Sequence, residues 1–544
     1  MPVHPLDATK TFANASEPAG FPLLFPPRTK SSEALMAGAS VEEKVTLASK
    51  VSAIEANAAL DFHKEDAASA GPHGMKLDKH GLPLIPQPSP DPSDPLNFPQ
   101  WLKIAILLQV SFLAGVGFLN WAVINPAYVP LAMHFHITTV AAGYQTAIAT
   151  AFAGIGSFLW VPLGNTFGRR PLLLFTTLLS AVTSLAPGEA RTWSQLLGAR
   201  ALNGITTSSF ITIGAGMVTD CFFLHERGRA FGVFNVLLSN LTHIAPIAGG
   251  FIAQYVNYRW CFYLAGIVDL TLFVIILFCL PETLYMRGSR PVETSKPILR
   301  RMRLWGHRPE GKHLQLSDFW RPFQMVIYPS VTIPAVYYSI TFSFATVLPA
   351  VTSATLFRLK HHFTTSQTGL VLGLGMLVGT TLGELLGGIV IDRSMYLSRK
   401  SHGGEVVPEV RLHGIWAGAI LHPIGLLIWG FSWQYKTHWM APTTGFAIMN
   451  FAAQIISTVI YSYTADCYKP QTPDSAQVFN FVRQTFGMTL GFWVIPMGTK
   501  IGYQFMGVTL ALVEVVTFVP IIFLMYRGKS IREKMGAPTF NSRL

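Results

Sequence analysis

From Trp101 onward the chain alternates long apolar runs with short polar breaks. Coiled as a helix, a run of about 17 or more residues crosses a hydrocarbon core of roughly 30 Å. Twelve such runs predict twelve spans. The first six lie at 103–125, 140–163, 171–187, 193–219, 229–253 and 258–280. The second six lie at 323–350, 366–391, 413–432, 439–463, 474–498 and 504–526. The longest internal connection, Pro281–Pro322, separates six from six. The expected fold class is an all-α polytopic membrane protein with twelve transmembrane helices in two six-helix pseudo-symmetric halves. On this parse residues 1–100 are an N-terminal tail, 101–282 the first half and 283–322 a basic central loop. Residues 323–526 form the second half and 527–544 a C-terminal tail.

Charge orients the spans. With both termini inside, the cytoplasmic connections and the C-tail carry 23 Lys/Arg and the outer connections 6, the asymmetry expected of cytoplasmic loops. The net charge of +12 is then explained by basic loops facing anionic lipid, and nucleic-acid binding is not implied. Only 12% of the 544 residues are charged, about half the share in soluble domains. The first 100 residues hold 8 Lys/Arg and 12 Asp/Glu among many Pro, Ala and Ser. That composition reads as a largely disordered tail without a cleaved-signal pattern. Val41–Phe62 could coil as a short amphipathic helix, and Pro83–Trp101 is a stiff Pro-rich spacer. No pair among the four cysteines suits an external disulfide.

The halves echo each other. Span 4 ends in VTDCF and span 10 in TADCY, so Asp220 and Asp466 lie 246 positions apart. Asp269 in span 6 and Glu514 in span 12 lie 245 apart. GRR (Gly168, Arg169, Arg170) after span 2 has a counterpart after span 8 at Gly388, Asp392 and Arg393. Parallel six-span repeats with a midplane site between them are a transporter architecture.

At these motifs the chain resembles the major facilitator superfamily, over about residues 100–530. The family's loop after span 2 reads G-x-x-x-D-R-x-G-R-[RK]; here Gly168, Arg169 and Arg170 match, while Val161 and Asn165 replace its first glycine and its aspartate. LGARALNG in span 4 resembles R-x-x-Q-G, with Arg200 and Gly204 kept and Asn203 at the Gln position. HIAPIAGG in span 5 is similar to the G-P-x-x-G-G element of proton-coupled exporters, with Ala245 for a glycine before Pro246, Gly249 and Gly250. PETLYMR and NFVRQTFGMTLGFW resemble fungal twelve-span drug:proton antiporters. The resemblance implies a cytoplasmic gate built from Asn165, Gly168, Arg169, Arg170, Asp220, Gly388, Asp392, Arg393 and Asp466. In the family this gate ties the halves together in one conformation, and Asn165 weakens it unless Asp220 or Asp466 supplies the charge. The arginines could instead serve only topology. The resemblance also gives Arg200 a role in proton coupling, against a structural hydrogen-bonding role.

Polar groups inside a bilayer are costly, so each is a candidate site. His243 lies near mid-membrane in span 5 and carries the only side chain there that titrates near neutral pH when unperturbed; it is a proton carrier, a substrate contact or a packing group. Glu384 in span 8 and Arg483 in span 11 sit about 12–14 Å from the cytoplasmic face by helical rise, which makes an ion pair plausible. Protonation of Glu384 would break it and bias one conformation. Asp269 and Glu514 read as helix-packing partners. Lining candidates are Asn120, Trp121, Asn125, Tyr144, Gln145, Tyr337, Tyr338, Gln454 and Tyr461, a mixture suited to amphiphilic or cationic molecules, with helix packing as the alternative role. Glycines at spacings of four in span 8 make a small-residue face. His134, His136, His361 and His362 lack a ligand shell, so no metal is expected; no cofactor or catalytic motif is present, and the chain does not read as an enzyme.

The expected activity is secondary active transport by alternating access, as proton-coupled export of a drug-like or secondary-metabolite compound. Proton-coupled import of a cationic nutrient such as a polyamine is the alternative, and a non-transporting sensor a third reading. Expected partners are a small-molecule substrate, protons and membrane lipid, with the protein acting as a monomer. The plasma membrane is the expected location, a vacuolar or other internal membrane the alternative.

Overall fold

The computed structural model describes residues 84–285, 314–401, 408–468, 471–536 and 538, excluding the side chains of 224 and 389–401. The N-terminal tail before residue 84, most of the central loop and the side chains of Asp392 and Arg393 therefore lie outside the described residues.

Twelve helical segments cross the described bundle. Span 1 is Gln100–Ala122, continued by a 3₁₀ turn at Asn125–Ala127 and by Tyr128–Phe135. Spans 2 to 6 are Thr139–Phe167, Arg169–Leu185, Trp193–Cys221, Leu224–Tyr255 and Arg259–Cys279. Span 7 is Pro329–Phe342 joined through a π-helical stretch, Ser343–Val347, to Leu348–His361. Spans 8 to 12 are Thr365–Ser401, Trp416–Gln434, Met440–Cys467, Thr472–Ile501 and Tyr503–Met535. Ten of these are apolar enough to be recognised as spans by hydropathy alone; spans 4 and 11 are not among them. Their polar residues explain why. Span 4 buries Arg200, Asn203, Thr206, Thr207, Ser208 and Ser209, and span 11 buries Asp474, Ser475, Gln477, Asn480, Arg483 and Gln484. Helices that face protein rather than lipid tolerate such residues.

Several boundaries differ from the sequence reading, among them the ends of spans 1, 7 and 8, which run on to Phe135, His361 and Ser401. Span 7 begins at Pro329, not near 323, because a short separate helix, Leu316–Gln324, precedes it. Proline at the first helical position suits the start of a helix, where its missing N–H costs nothing. Span 12 runs on to Met535, past the expected end at 526. Arg532 in that extension forms a two-pronged ion pair with Glu409, 2.8 and 3.0 Å, which anchors the added turns.

Helix starts follow from local chemistry. Thr192 and Gln195 make a reciprocal capping box at span 4, and Thr138 caps span 2. Spans 2 and 3 are joined by Gly168 alone, at φ +103°, a conformation open to glycine and strained for other residues.

Candidate functional site

The face carrying Arg169, Arg170, Arg411 and Arg532 is called here the basic face, and its counterpart the opposite face. At the basic face, Gly168 has no side chain to cap span 3. Glu282, just past the end of span 6, does this instead: its carboxylate accepts hydrogen bonds from the backbone N–H groups of Arg169 and Arg170, both 3.1 Å, and from those of Thr283 and Leu284, both 2.9 Å. Arg170 donates to the Leu277 carbonyl at 2.6 Å, binding span 3 to span 6 a second time. Arg169 pairs with Asp220 at 2.6 Å. In the second half Arg411 pairs with Asp466, also at 2.6 Å. These described contacts of Arg169, Arg170, Asp220 and Asp466 all stay within one half and clamp it, while the side chains of Asp392 and Arg393 lie outside the described residues. Asn165 is half-buried, and Gly388 is exposed with open space beside its Cα.

Deeper in each half, one buried acid ties three spans together. Asp269 of span 6 accepts from Asn120 of span 1 at 2.9 Å and from Ser180 and Ser184 of span 3 at 2.6 and 3.1 Å. Glu514 of span 12 meets Thr341 of span 7 at 3.3 Å and His422 of span 9 at 2.5 Å. The same three positions, spans 1, 3 and 6 against spans 7, 9 and 12, are used in both halves. Asn120 and Tyr337 thus point into the interior of their own half rather than toward the other half: Asn120 bonds Asp269, and the Tyr337 ring packs on Phe518 of span 12 at 5.4 Å. Arg200 joins the first of these clusters, donating to the Asn120 carbonyl at 2.9 Å and lying over the Phe262 ring at 5.7 Å. Gln145 is fully buried and bonds Thr146 beside it at 2.6 Å.

The halves meet along two seams. Between spans 5 and 8, His243 bonds Thr380 at 2.9 Å, Asn240 bonds Thr381 at 3.1 Å, and Gln254 accepts from the Thr365 backbone at 3.1 Å. Gln454 of span 10 reaches Ser239 of span 5 at 3.4 Å. Glycines set this spacing. A Cβ on Gly250 would lie 2.9 Å from the Thr365 carbonyl oxygen, and one on Gly373 would lie 2.6 Å from that of His243. Ala245 is buried one helical turn before Gly249, which faces Val123 of span 1 rather than span 8. Pro246 has its carbonyl against Gly369. Between spans 2 and 11, Gly154 lies beside Gln484, Gly491 beside Ala147, and Tyr144 against Phe492 at 4.8 Å. Among the described residues, the hydrogen bonds across these seams lie from mid-membrane to the opposite face. Nearer the basic face, Phe158 of span 2 stacks on Phe323 of the short helix at 4.3 Å and meets Phe481 at 5.2 Å.

At the centre, Arg483 is buried between two rings, Phe342 of span 7 at 4.4 Å and Phe118 of span 1 at 5.4 Å, and donates to Asn480 at 2.7 Å. Trp121 stands edge-on to Phe118 at 5.1 Å, and Tyr338 to Tyr461 at 5.3 Å. The pairing of Glu384 with Arg483 suggested by equal depth is not formed. Depth along a helix does not set the direction around it, and Arg483 turns to spans 1 and 7. Glu384 is half-buried and, among the described residues, has no ion pair. Sequence reading did not single out Glu282 or His422. The signal for Glu282 was available: a helix that begins on glycine needs an acceptor from elsewhere, and an acid follows the span that packs on it.

The major facilitator superfamily model matches residues 110–492. An uncharacterized transporter of Schizosaccharomyces pombe is 28% identical, over 81% of this chain and 92% of its own. The major facilitator superfamily multidrug transporter FLU1 of Candida albicans is 25% identical, covering 82% and 74%. Efflux pump radE of Floropilus chiversii is 25% identical, covering 84% and 85%. Among solved structures, a bacterial homolog of the human lysosomal transporter Spinster, in an inward-facing and unoccupied conformation, superposes with a TM-score of 0.52 at 14% identity, over 80% of this chain and 97% of that one.

Proposed function

The chain belongs to the major facilitator superfamily, and from that premise we propose that it exports a small drug-like or secondary-metabolite molecule, driven by protons. It is a multi-pass membrane transporter and not an enzyme. The observation that carries the transport reading is one-sided closure, and export as the direction rests on the relatives. Among the described residues, the halves are hydrogen-bonded from mid-membrane to the opposite face, while on the basic face the ion pairs and the Glu282 cap stay inside their own halves and Phe158 meets Phe323 and Phe481 across them. With the basic face assigned to the cytoplasm by its arginines, this is the cytoplasm-facing state of an alternating-access cycle. Export is supported by the relatives named as a multidrug transporter and an efflux pump. Glu384 supports proton coupling, because a half-buried carboxylate with no cation partner among the described residues can take up a proton. Trp121, Tyr338, Tyr461, Gln454 and Arg483 line the route in this reading, and the clusters around Asp269 and Glu514 hold each half rigid.

The reading is tested by accumulation of labelled compounds, polyamines included, in cells with and without the protein and with and without a protonophore. Lower accumulation that the protonophore restores is the expected result, and Glu384→Gln removes at least 90% of the difference. Higher accumulation on expression would make the protein an importer. A second measurement addresses the seam. Thr380→Val removes one buried hydrogen bond, about 0.5–1.5 kcal/mol, and so shifts the balance toward opening of the opposite face by roughly 2- to 10-fold. A cysteine placed at Gln254 then reacts faster with an impermeant maleimide applied on that face; an unchanged rate counts against the seam as the gate.

A further inference from the structure

We propose that the central site selects organic anions: flat aromatic molecules bearing a carboxylate or phenolate, whose charge is met by Arg483. The inference rests on the transport reading above only for the location of the site.

Three observations converge. The first is a charge without a counter-charge. Arg483 is 7% exposed, and among the described residues no carboxylate lies within ion-pair distance of it. Two rings sandwich its guanidinium, and cation–π contact stabilises a cation without neutralising it. A cation held in a low-dielectric interior is strongly favoured by any anion brought beside it.

The second is the sign of the unused hydrogen-bonding capacity around it. Among the described residues, the indole N–H of Trp121, the Nε of Arg483, the amide N–H groups of Asn480 and Gln484 and the hydroxyl of Ser343 are buried without a partner. A folded protein seldom leaves buried donors unused, and several together on one site call for an explanation. Contacts place them together: Trp121 lies against Phe118, and Phe118 against Arg483. Asn480 bonds Arg483, Gln484 lies one helical turn beyond Asn480 on the same face of span 11, and the Ser343 hydroxyl faces Gly487, one turn beyond Arg483. Four of the five groups are donors only, as positioned N–H groups, and a hydroxyl can also donate. Unpartnered acceptor oxygens occur on Gln477 and Gln145, and neither oxygen accepts a hydrogen bond from Arg483 or from a member of the donor group. Gln477 lies one turn before Asn480, on the side away from Arg483, and Gln145 sits near the level of Phe492, judged by the contact of Ala147 with Gly491. What fits a convergence of donors is an acceptor-rich, negatively charged group.

The third is the aromatic wall. Phe118, Trp121, Phe342, Tyr338 and Tyr461 contact one another or Arg483 across spans 1, 7 and 10. They offer ring faces and edges to the flat body of such a ligand. The site also bridges the halves, since Phe118 belongs to the first and Phe342 and Arg483 to the second. An anion bound there draws groups of both halves together, which is the differential contact that a transported ligand needs to shift a conformational balance.

The test uses the purified full-length protein in lipid nanodiscs and three probes with one ring system: 2-naphthoate, 2-naphthamide and 2-naphthylmethylammonium, measured by equilibrium dialysis. Naphthoate is expected to bind at least about tenfold more tightly than the amide, with the ammonium weakest. Arg483→Gln removes the preference, and Arg483→Lys keeps most of it. Trp121→Phe retains the ring but loses its N–H, weakening naphthoate about three- to tenfold and leaving the amide unchanged; this variant decides the matter should Arg483→Gln not fold. Equal binding of the three probes, no binding of naphthoate, or a parallel loss of acid and amide in Trp121→Phe overturns the proposal. Selective binding of the acid without any transport in cells would leave this site standing and remove the export reading. Transport without selectivity for the acid would do the reverse.

Discussion

Gly249→Ala is expected to abolish folded protein, although it adds a single methyl group. The Cβ would stand far inside van der Waals contact with the carbonyl oxygen of Val123, and within 3.1 Å of that residue's side chain. Val123 is fully buried at the end of span 1, so its backbone has no free direction in which to give. Overpacking a close-packed interior typically costs about 1–3 kcal/mol and sometimes more, and backbone against backbone is the case with least room to relax. Gly198→Ala is the control. Nothing lies within 4 Å of that position in span 4, and alanine there favours the helix by up to about 1 kcal/mol over glycine. Fluorescence-detected gel filtration of fusion proteins reads both. The expected profile is a monodisperse peak for Gly198→Ala and loss of at least 90% of that peak for Gly249→Ala. Comparable peaks would show that spans 1 and 5 do not approach as closely as described. Gly250→Ala should fall between them. Its nearest neighbours belong to span 8 of the other half, at 2.9–3.3 Å, so it strains a seam between halves and leaves each half folded.

That difference between neighbouring glycines marks the limit of what the sequence makes legible. Apolar runs gave twelve spans, and the repeat of acids at intervals of 245 and 246 gave the six-plus-six division, because membrane thickness and duplication leave traces along the chain. The direction in which a residue faces leaves a much weaker trace. Gly249 and Gly250 look alike in sequence, yet one meets span 1 and the other span 8. Asn120 and Trp121 are likewise adjacent, and the helix turns one toward Asp269 and the other toward Phe118 and the centre. In a helix facing protein on most sides, hydrophobic periodicity is too weak to separate these directions. For the same reason depth alone suggested a Glu384–Arg483 pair that the helix rotations do not allow.

The acids at matching positions carry further meaning. Asp269 and Glu514 occupy the same place in their halves yet recruit different chemistry: an amide and two hydroxyls in the first, an imidazole and a hydroxyl in the second. A duplicated architecture preserves the need for an acceptor where three helices cross, and leaves its donors free to change. The two halves can then be equally rigid while differing in their ionic character.

The same logic makes Glu282 the side chain at the basic face whose loss should be felt most. It is 1% exposed and accepts from four backbone N–H groups, two of which open span 3. Charge-assisted bonds of this kind are stronger than neutral ones, and unpaired N–H groups left buried carry their full desolvation cost. Glu282→Ala is therefore expected to destabilise the protein by about 2–4 kcal/mol, seen as a lowered midpoint of thermal unfolding in detergent and reduced abundance in the membrane. Glu282→Gln should fall between that variant and wild type, since its amide keeps one acceptor oxygen and turns the other position into a donor facing donors. Asp220→Asn provides the comparison. Asp220 also meets a partner charge, Arg169, but its side chain is 22% exposed, and a partly solvated ion pair of this kind contributes about 1 kcal/mol or less. If Asp220→Asn proved the more damaging change, the arginines would owe their place to the ion pair. The expected order instead makes the backbone of Gly168–Arg170 the element being held, and the arginine side chains secondary to the cap that starts their helix.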